Sequence, residues 1–249
     1  MELNLLGLVF ALVAACSNCV GGLIATGRRT LSPELLRNYM AFGAGFILTA
    51  AIMEMVPESL KAAPDHAPLL ILGGYILVLF CENALVSHMH IEDALHHEQM
   101  VRTFVGAAAL IGMTIHATLD GAMISSGFSV GGKGLGILLF LIAVVHKVPE
   151  GLTISSIQLA SGHSRANALG SAVLLGAATL IGAVVVFASG KAMANMALPV
   201  ATGAIIYVAA SDLIPVLGER KSVTTVGVIA FGGGIFILTH MLLHLVGVD

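Results

Sequence analysis

The sequence predicts an all-α membrane protein whose eight transmembrane helices form a 3+2+3 inverted repeat. Three observations carry this expectation. The chain is 57% hydrophobic and 10% charged, with a mean hydropathy of +1.00. A soluble domain is about 25% charged, so lipid is the solvent that suits this composition. Its apolar residues gather into eight runs near the ~20 residues a helix needs to cross a bilayer. The breaks between the runs are short and rich in turn formers or charge, too short for a soluble domain. The whole chain, 1–249, therefore reads as a single transmembrane domain.

The spans follow in order. The first, 3–25, has an acid and no basic residue before its apolar run, so it reads as a retained helix rather than a cleaved signal peptide. Its Cys16 and Cys19 form a Cys-x-x-Cys. The one other cysteine is Cys81, so no second pair exists to complete a metal site, and the motif reads as small residues at a helix contact. "GRRTLSPE" leads to the second span, 38–60, which carries "EMVP" at 54–57. "KAAPDHAP" leads to the third, 68–88, with "GGYILVL" from Gly73. The loop "HMHIEDALHHEQ" precedes the fourth, 102–127, which holds "HATLDG" at 116–121. "SVGGKG" separates it from the fifth, 134–160, with "HKVPEG" at 146–151. "SGHSR" precedes the sixth, 165–189. "SGKAMAN" precedes the seventh, 194–217, with "DLIP" at 212–215. "GERKS" precedes the eighth, 223–247, with "GGGIFIL" from Gly232.

Orientation follows Lys and Arg. The odd-numbered loops and their flanks hold Arg28, Arg29, Arg37, Arg102, Arg165, Arg220 and Lys221; the even-numbered ones hold Lys61, Lys133 and Lys191. The odd loops are expected in the cytoplasm and both termini outside, in the plasma (inner) membrane. The net charge of −3 points away from nucleic acid. The paired strings "EMVP"/"DLIP" and "GGYILVL"/"GGGIFIL" suggest that spans one to three recur as spans six to eight. Because the second span runs outward and the seventh inward, that repeat would be inverted, a recurring transporter plan with its site at the midplane.

Ionisable groups inside a bilayer cost a few kcal/mol or more and default to function. His116 and Asp120 are four apart and share a helix face; His146 and Glu150 repeat the arrangement. Their helices are consecutive, so they are antiparallel neighbours. Each histidine is fourteen residues from its cytoplasmic edge, a rise of ~21 Å. The two are therefore expected level, with four ligand groups converging in mid-membrane. Two imidazoles and two carboxylates suit Zn²⁺ and would accept Fe²⁺, Mn²⁺, Co²⁺ or Cd²⁺. Such ligands bind metal when deprotonated, so affinity is expected to fall in acid. Pro149 supplies no N–H to the carbonyl of Val145, which suits a helix bent beside an ion.

Secondary candidates flank this group. Glu54 and Glu58 lie near the outer end of the second span and read as a cation-attracting entrance or as interfacial carboxylates. Asp212, their counterpart in the seventh span, could serve the exit. Glu82 reads equally as a helper or as one half of a structural pair. His240 and His244 form an i, i+4 pair near the outer surface. In the third loop His88, His90, His96 and His97 stand among acids, as accessory metal ligands or a solvated linker.

With these strings in place, the sequence resembles the ZIP (Zrt/Irt-like) family of divalent metal transporters, in its short bacterial/archaeal-type form. "HATLDG" and "HKVPEG" carry the resemblance, supported by "EMVPES", the histidine-bearing loop and "YVAASDLIP". It covers essentially the whole chain in order. It implies zinc or related metal moving into the cytoplasm by alternating access. It also implies that His116, Asp120, His146 and Glu150 are transport ligands, that a Met of the second span (Met53 or Met55 here) can join them, and that the protein forms homodimers. The metal is then cargo, with no cofactor and no catalytic residue. Some relatives hold two metals, using a polar residue after the first histidine and an acid after the second. Here those positions are Ala117 and Lys147. Alanine cannot ligate, and an ammonium would stand in for the second cation, paired with Asp120 or Glu150, so one metal is expected. Two other classes stay open. An intramembrane metallohydrolase would want H-E-x-x-H, which is missing from the sequence. A proton-coupled carrier of a non-metal solute would use Lys147 and the carboxylates as a relay.

Overall fold

A computed structural model describes residues 2–27, 32–87, 98–214 and 223–245. All regular structure among them is helical. The helices are α1 (Glu2–Thr26), α2 (Pro33–Ala50), α3 (Val56–Ala62), α4 (Ala67–Ser87), α5 (Glu98–Val130), α6 (Gly132–Ala160), α7 (Arg165–Ser189), α8 (Lys191–Tyr207) and α9 (Val223–Leu245). Seven helical segments are long and apolar enough to cross a membrane. The third expected span is α4, which counts as a shorter apolar helix over Ala67–Cys81. The protein is a multi-pass membrane helical protein.

The starts and stops have local causes. Ser32 caps α2, its Oγ accepting from the Leu35 N–H at 3.2 Å, with Pro33 at the first helical position. Ser164 caps α7 in the same way through Asn167. Gly190, at φ +78°, takes the left-handed conformation that lets the chain reverse between α7 and α8.

The second and seventh expected spans are not uniform α-helices. Each widens into a π turn, at Ala51–Met55 and Val208–Leu213. The Val56 N–H reaches back five residues to Ala51, and the Ile214 N–H reaches back five to Ala209. Both turns sit at the acid-x-x-Pro string, at matching positions. A proline lacks the N–H that the α pattern requires, and such turns gather at functional sites.

Packing follows small residues. A Cβ on Gly151 would overlap the Asn18 carbonyl, and one on Gly21 the Val148 carbonyl, so α1 and α6 meet backbone to backbone. The pairing recurs between α5 and α7, where Gly121 faces the Thr179 carbonyl and Gly182 the Thr118 carbonyl. Gly45 and Gly232 join α2 to α9, and Gly203 and Gly74 join α8 to α4, by the same reciprocal rule. Such contacts replace the hydrophobic drive that lipid does not supply. The polar residues of the chain's centre lie where α1, α5, α6 and α7 meet, with Phe46, Met123, Leu139 and Ile142 in the apolar core beside them.

Candidate metal centre

α5 and α6 bring His116, Asp120, His146 and Glu150 together. One ligand atom from each lies within 4.8 Å of every other, and all four residues are buried. The imidazole centroids are 5.6 Å apart, so the two histidines stand level across the helix pair.

Asp120 is the hub. Its Oδ2 lies 3.3 Å from His116 Nε2, 3.1 Å from His146 Nε2 and 2.6 Å from Lys147 Nζ. Lys147 is fully buried and donates a second 2.6 Å bond, to Glu150 Oε2. It therefore pairs with both acids, where the sequence left open which one. An ammonium with no water around it is tolerated only with such partners.

The tautomers define what the site lacks. His146 Nδ1 lies 2.8 Å from the Ile142 carbonyl, which only accepts, so Nδ1 carries the hydrogen. In the neutral ring Nε2 is then a lone pair aimed at a carboxylate. Two acceptors 3.1 Å apart require a cation between them, a proton or a metal. His116 Nδ1 and Glu150 Oε1 are buried with no hydrogen-bond partner. Glu150 thus divides its oxygens: Oε2 serves Lys147, and Oε1 is open to a ligand. In tetrahedral Zn²⁺ coordination, bonds near 2.0–2.1 Å place ligand atoms about 3.3 Å apart. Both His–Asp120 separations match that edge, so the donor set and its orphaned atoms fit a divalent metal.

Asn18 on α1 completes the shell and was not singled out from the sequence. It is fully buried. With its amide turned to satisfy both neighbours, Nδ2 donates to the Lys147 carbonyl at 2.7 Å and to Glu150 Oε2 at 3.3 Å. Its signal was an amide between Cys16 and Cys19 in an otherwise apolar run. Of the flanking cysteines, Cys16 is exposed and Cys19 only half-buried.

A cavity of about 440 Å³ opens onto the site, with His116, His146 and Glu150 in its wall. Val145 and Pro149 line it too, where the proline leaves a helical carbonyl without its N–H donor. The rest of its lining comes from the halves of α2, α4, α5 and α6 next to the odd-numbered loops, and from the second π turn. A second cavity, about 170 Å³, lies at the opposite end and holds Glu54, Glu58, His240 and His244. Between the two, Ala50, Ala51, Met55, Leu139, Ile142 and Ala143 are fully buried and close the path.

The remaining candidates divide. Met53 is exposed and Met55 packs in that apolar closure, while Met40 and Met113 line the larger cavity. Asp212 belongs to the second π turn, but its side chain and that of Glu82 lie outside the described residues, as do His88, His90, His96 and His97. Compared with protein-family models and with curated proteins, the chain matches none, so the functional reading rests on the chemistry of the centre.

Proposed function

We propose that the protein is a ZIP-like carrier of a divalent metal ion, most simply Zn²⁺, moving it into the cytoplasm through one central site by alternating access. One observation carries this reading: His146 presents a lone pair to the Asp120 carboxylate at 3.1 Å, deep among membrane-spanning helices, beside an unpartnered Glu150 oxygen. His116, His146, Asp120 and Glu150 are the ligands. Lys147 takes the place of a second cation, and the carrier holds one metal there. The larger cavity, on the side of the arginine-rich odd loops, is the cytoplasmic passage, and the apolar closure bars the outer side.

The repeated glycine pairs and π turns support a 3+2+3 inverted repeat, in which α1, α2–α3 and α4 correspond to α7, α8 and α9, and α5 to α6. Homodimers fit the same reading. Metal-loaded catalysis has less support, because the described residues place no general base beside the ligand set in the manner of H-E-x-x-H.

Liposomes carrying the purified protein and an internal zinc dye test the proposal. Uptake is expected in the wild type and abolished in both His146→Ala and Glu150→Ala. Wild-type flux in both variants would refute the ligand assignment. Peptide cleavage without flux would favour the hydrolase, and failure of the protein to bind metal would favour the non-metal carrier.

A further inference from the structure

The smaller cavity contains chemistry that the central site does not use. Glu54 lies on the first π turn and Glu58 one turn on, in α3. His240 and His244 face them from α9. His240 Nδ1 is 3.2 Å from Glu54 Oε2 and yet makes no hydrogen bond. That separation is again close to the ~3.3 Å edge of a tetrahedral zinc site. The ring of His244 lies edge-on to His240, with centroids 4.6 Å apart. Two histidines at i, i+4 on one helix face are a metal-binding spacing in their own right. Phe236 is fully buried and stacks on His240, which sets the plane of the imidazole. Glu58 is held at the rim by a 2.6 Å bond to the exposed Lys61. A plain ion pair would need neither a second imidazole nor a second carboxylate in the same small cavity.

We infer that Glu54 and His240, already 3.2 Å apart, form the fixed half of a second site for a divalent transition-metal ion, in the mouth opposite the larger cavity, and that His244 and Glu58 in the same cavity complete it by turning toward the ion. The four groups come from two separate stretches of chain, so an ion there ties α9 to the widened turn of the second span. The site lies beyond the apolar closure and so binds its ion independently of the central one. In the proposed cycle it collects metal from outside and holds it while the central site faces the other way.

The test is equilibrium dialysis of tag-free protein in nanodiscs against Zn²⁺ alone, with Co²⁺ absorption reporting ligand type. The wild type is expected to bind two ions per chain. Glu54→Gln, which keeps the side-chain shape, and His240→Gln should each weaken one site at least tenfold and leave the other unchanged. His244→Ala alters an exposed side chain and gives the same readout if either of those variants folds poorly. The paired change Asp120→Asn with His146→Ala should remove the central ion and retain this one. Unchanged binding in all three outer variants would overturn the inference, as would a single wild-type site that disappears with the central pair. An ion here with none at the centre would support it and count against the central reading alone.

Discussion

Three nitrogens converge on one oxygen of Asp120, and of them Lys147 alone also bonds Glu150. Removing one partner of a buried ion pair costs about 3–5 kcal/mol, because the other charge is left behind. In the proposed carrier the same ammonium excludes a second metal from the space between Asp120 and Glu150. Anomalous scattering from zinc-soaked crystals should therefore show one central ion in the wild type and two in Lys147→Glu; two central ions in the wild type would refute this role. Asn18 acts through Glu150, by engaging the oxygen that the metal does not need. Second-shell partners of this kind are worth roughly 10–100-fold in metal affinity. Asn18→Ala is expected to weaken zinc binding by that factor in a competition titration with a chelating dye, while Ser17→Ala, at a half-buried neighbour whose hydroxyl bonds only its own helix at Val13, leaves it unchanged. The meeting of His116, Asp120, His146 and Glu150 was legible in the sequence because helical spacing and depth are simple arithmetic: four residues set a face, fourteen set a height. Asn18 was not, because its partner is a backbone carbonyl on another helix, and no spacing within α1 encodes that meeting.

At the level of elements, the glycine pairs decide which helices touch. Any side chain at Gly151 or Gly121 would drive two backbones apart, and overpacking of this kind costs about 1–3 kcal/mol. Gly151→Val is expected to lower the melting temperature and abolish uptake in the same preparation. Gly170→Ala, at a position with open space around it, should change neither; a normal melting temperature for Gly151→Val would argue against backbone contact there. Helix limits were readable to within a few residues at most ends, since Ser32, Ser164 and Gly190 are local signals. The two π turns were not readable. Proline announces a break in the hydrogen-bond ladder, but whether the chain kinks or widens depends on neighbours far away in sequence. Their matching positions at "EMVP" and "DLIP" give the short repeated strings a physical meaning that apolar similarity alone did not.

Over the whole molecule, His116, Asp120, His146, Glu150, Lys147 and Asn18 all belong to α1, α5 and α6, which lock together with α7 through glycine contacts. The α2–α9 and α4–α8 pairs flank this unit, and both cavities lie along the seam between them. Topology of this kind was only half visible in the sequence. Composition marks out the spans, but which end of the bundle is open depends on how two packed units are set against each other. The buried lysine has an electrical consequence for any carrier built this way. With both carboxylates and the ammonium ionised, the empty centre, which holds a proton between His146 and Asp120, is neutral, and the loaded centre, in which the metal has replaced that proton, carries +1. A membrane potential negative inside then favours the inward step of the loaded form and leaves the return of the empty form unaffected. The inward step gains up to about 2.3 kcal/mol per 100 mV if the charge crosses the whole field. An inside-negative potassium diffusion potential, imposed with valinomycin, should therefore accelerate zinc uptake into liposomes, and Lys147→Met, whose empty centre is −1 and loaded centre neutral, should move that acceleration to the return step.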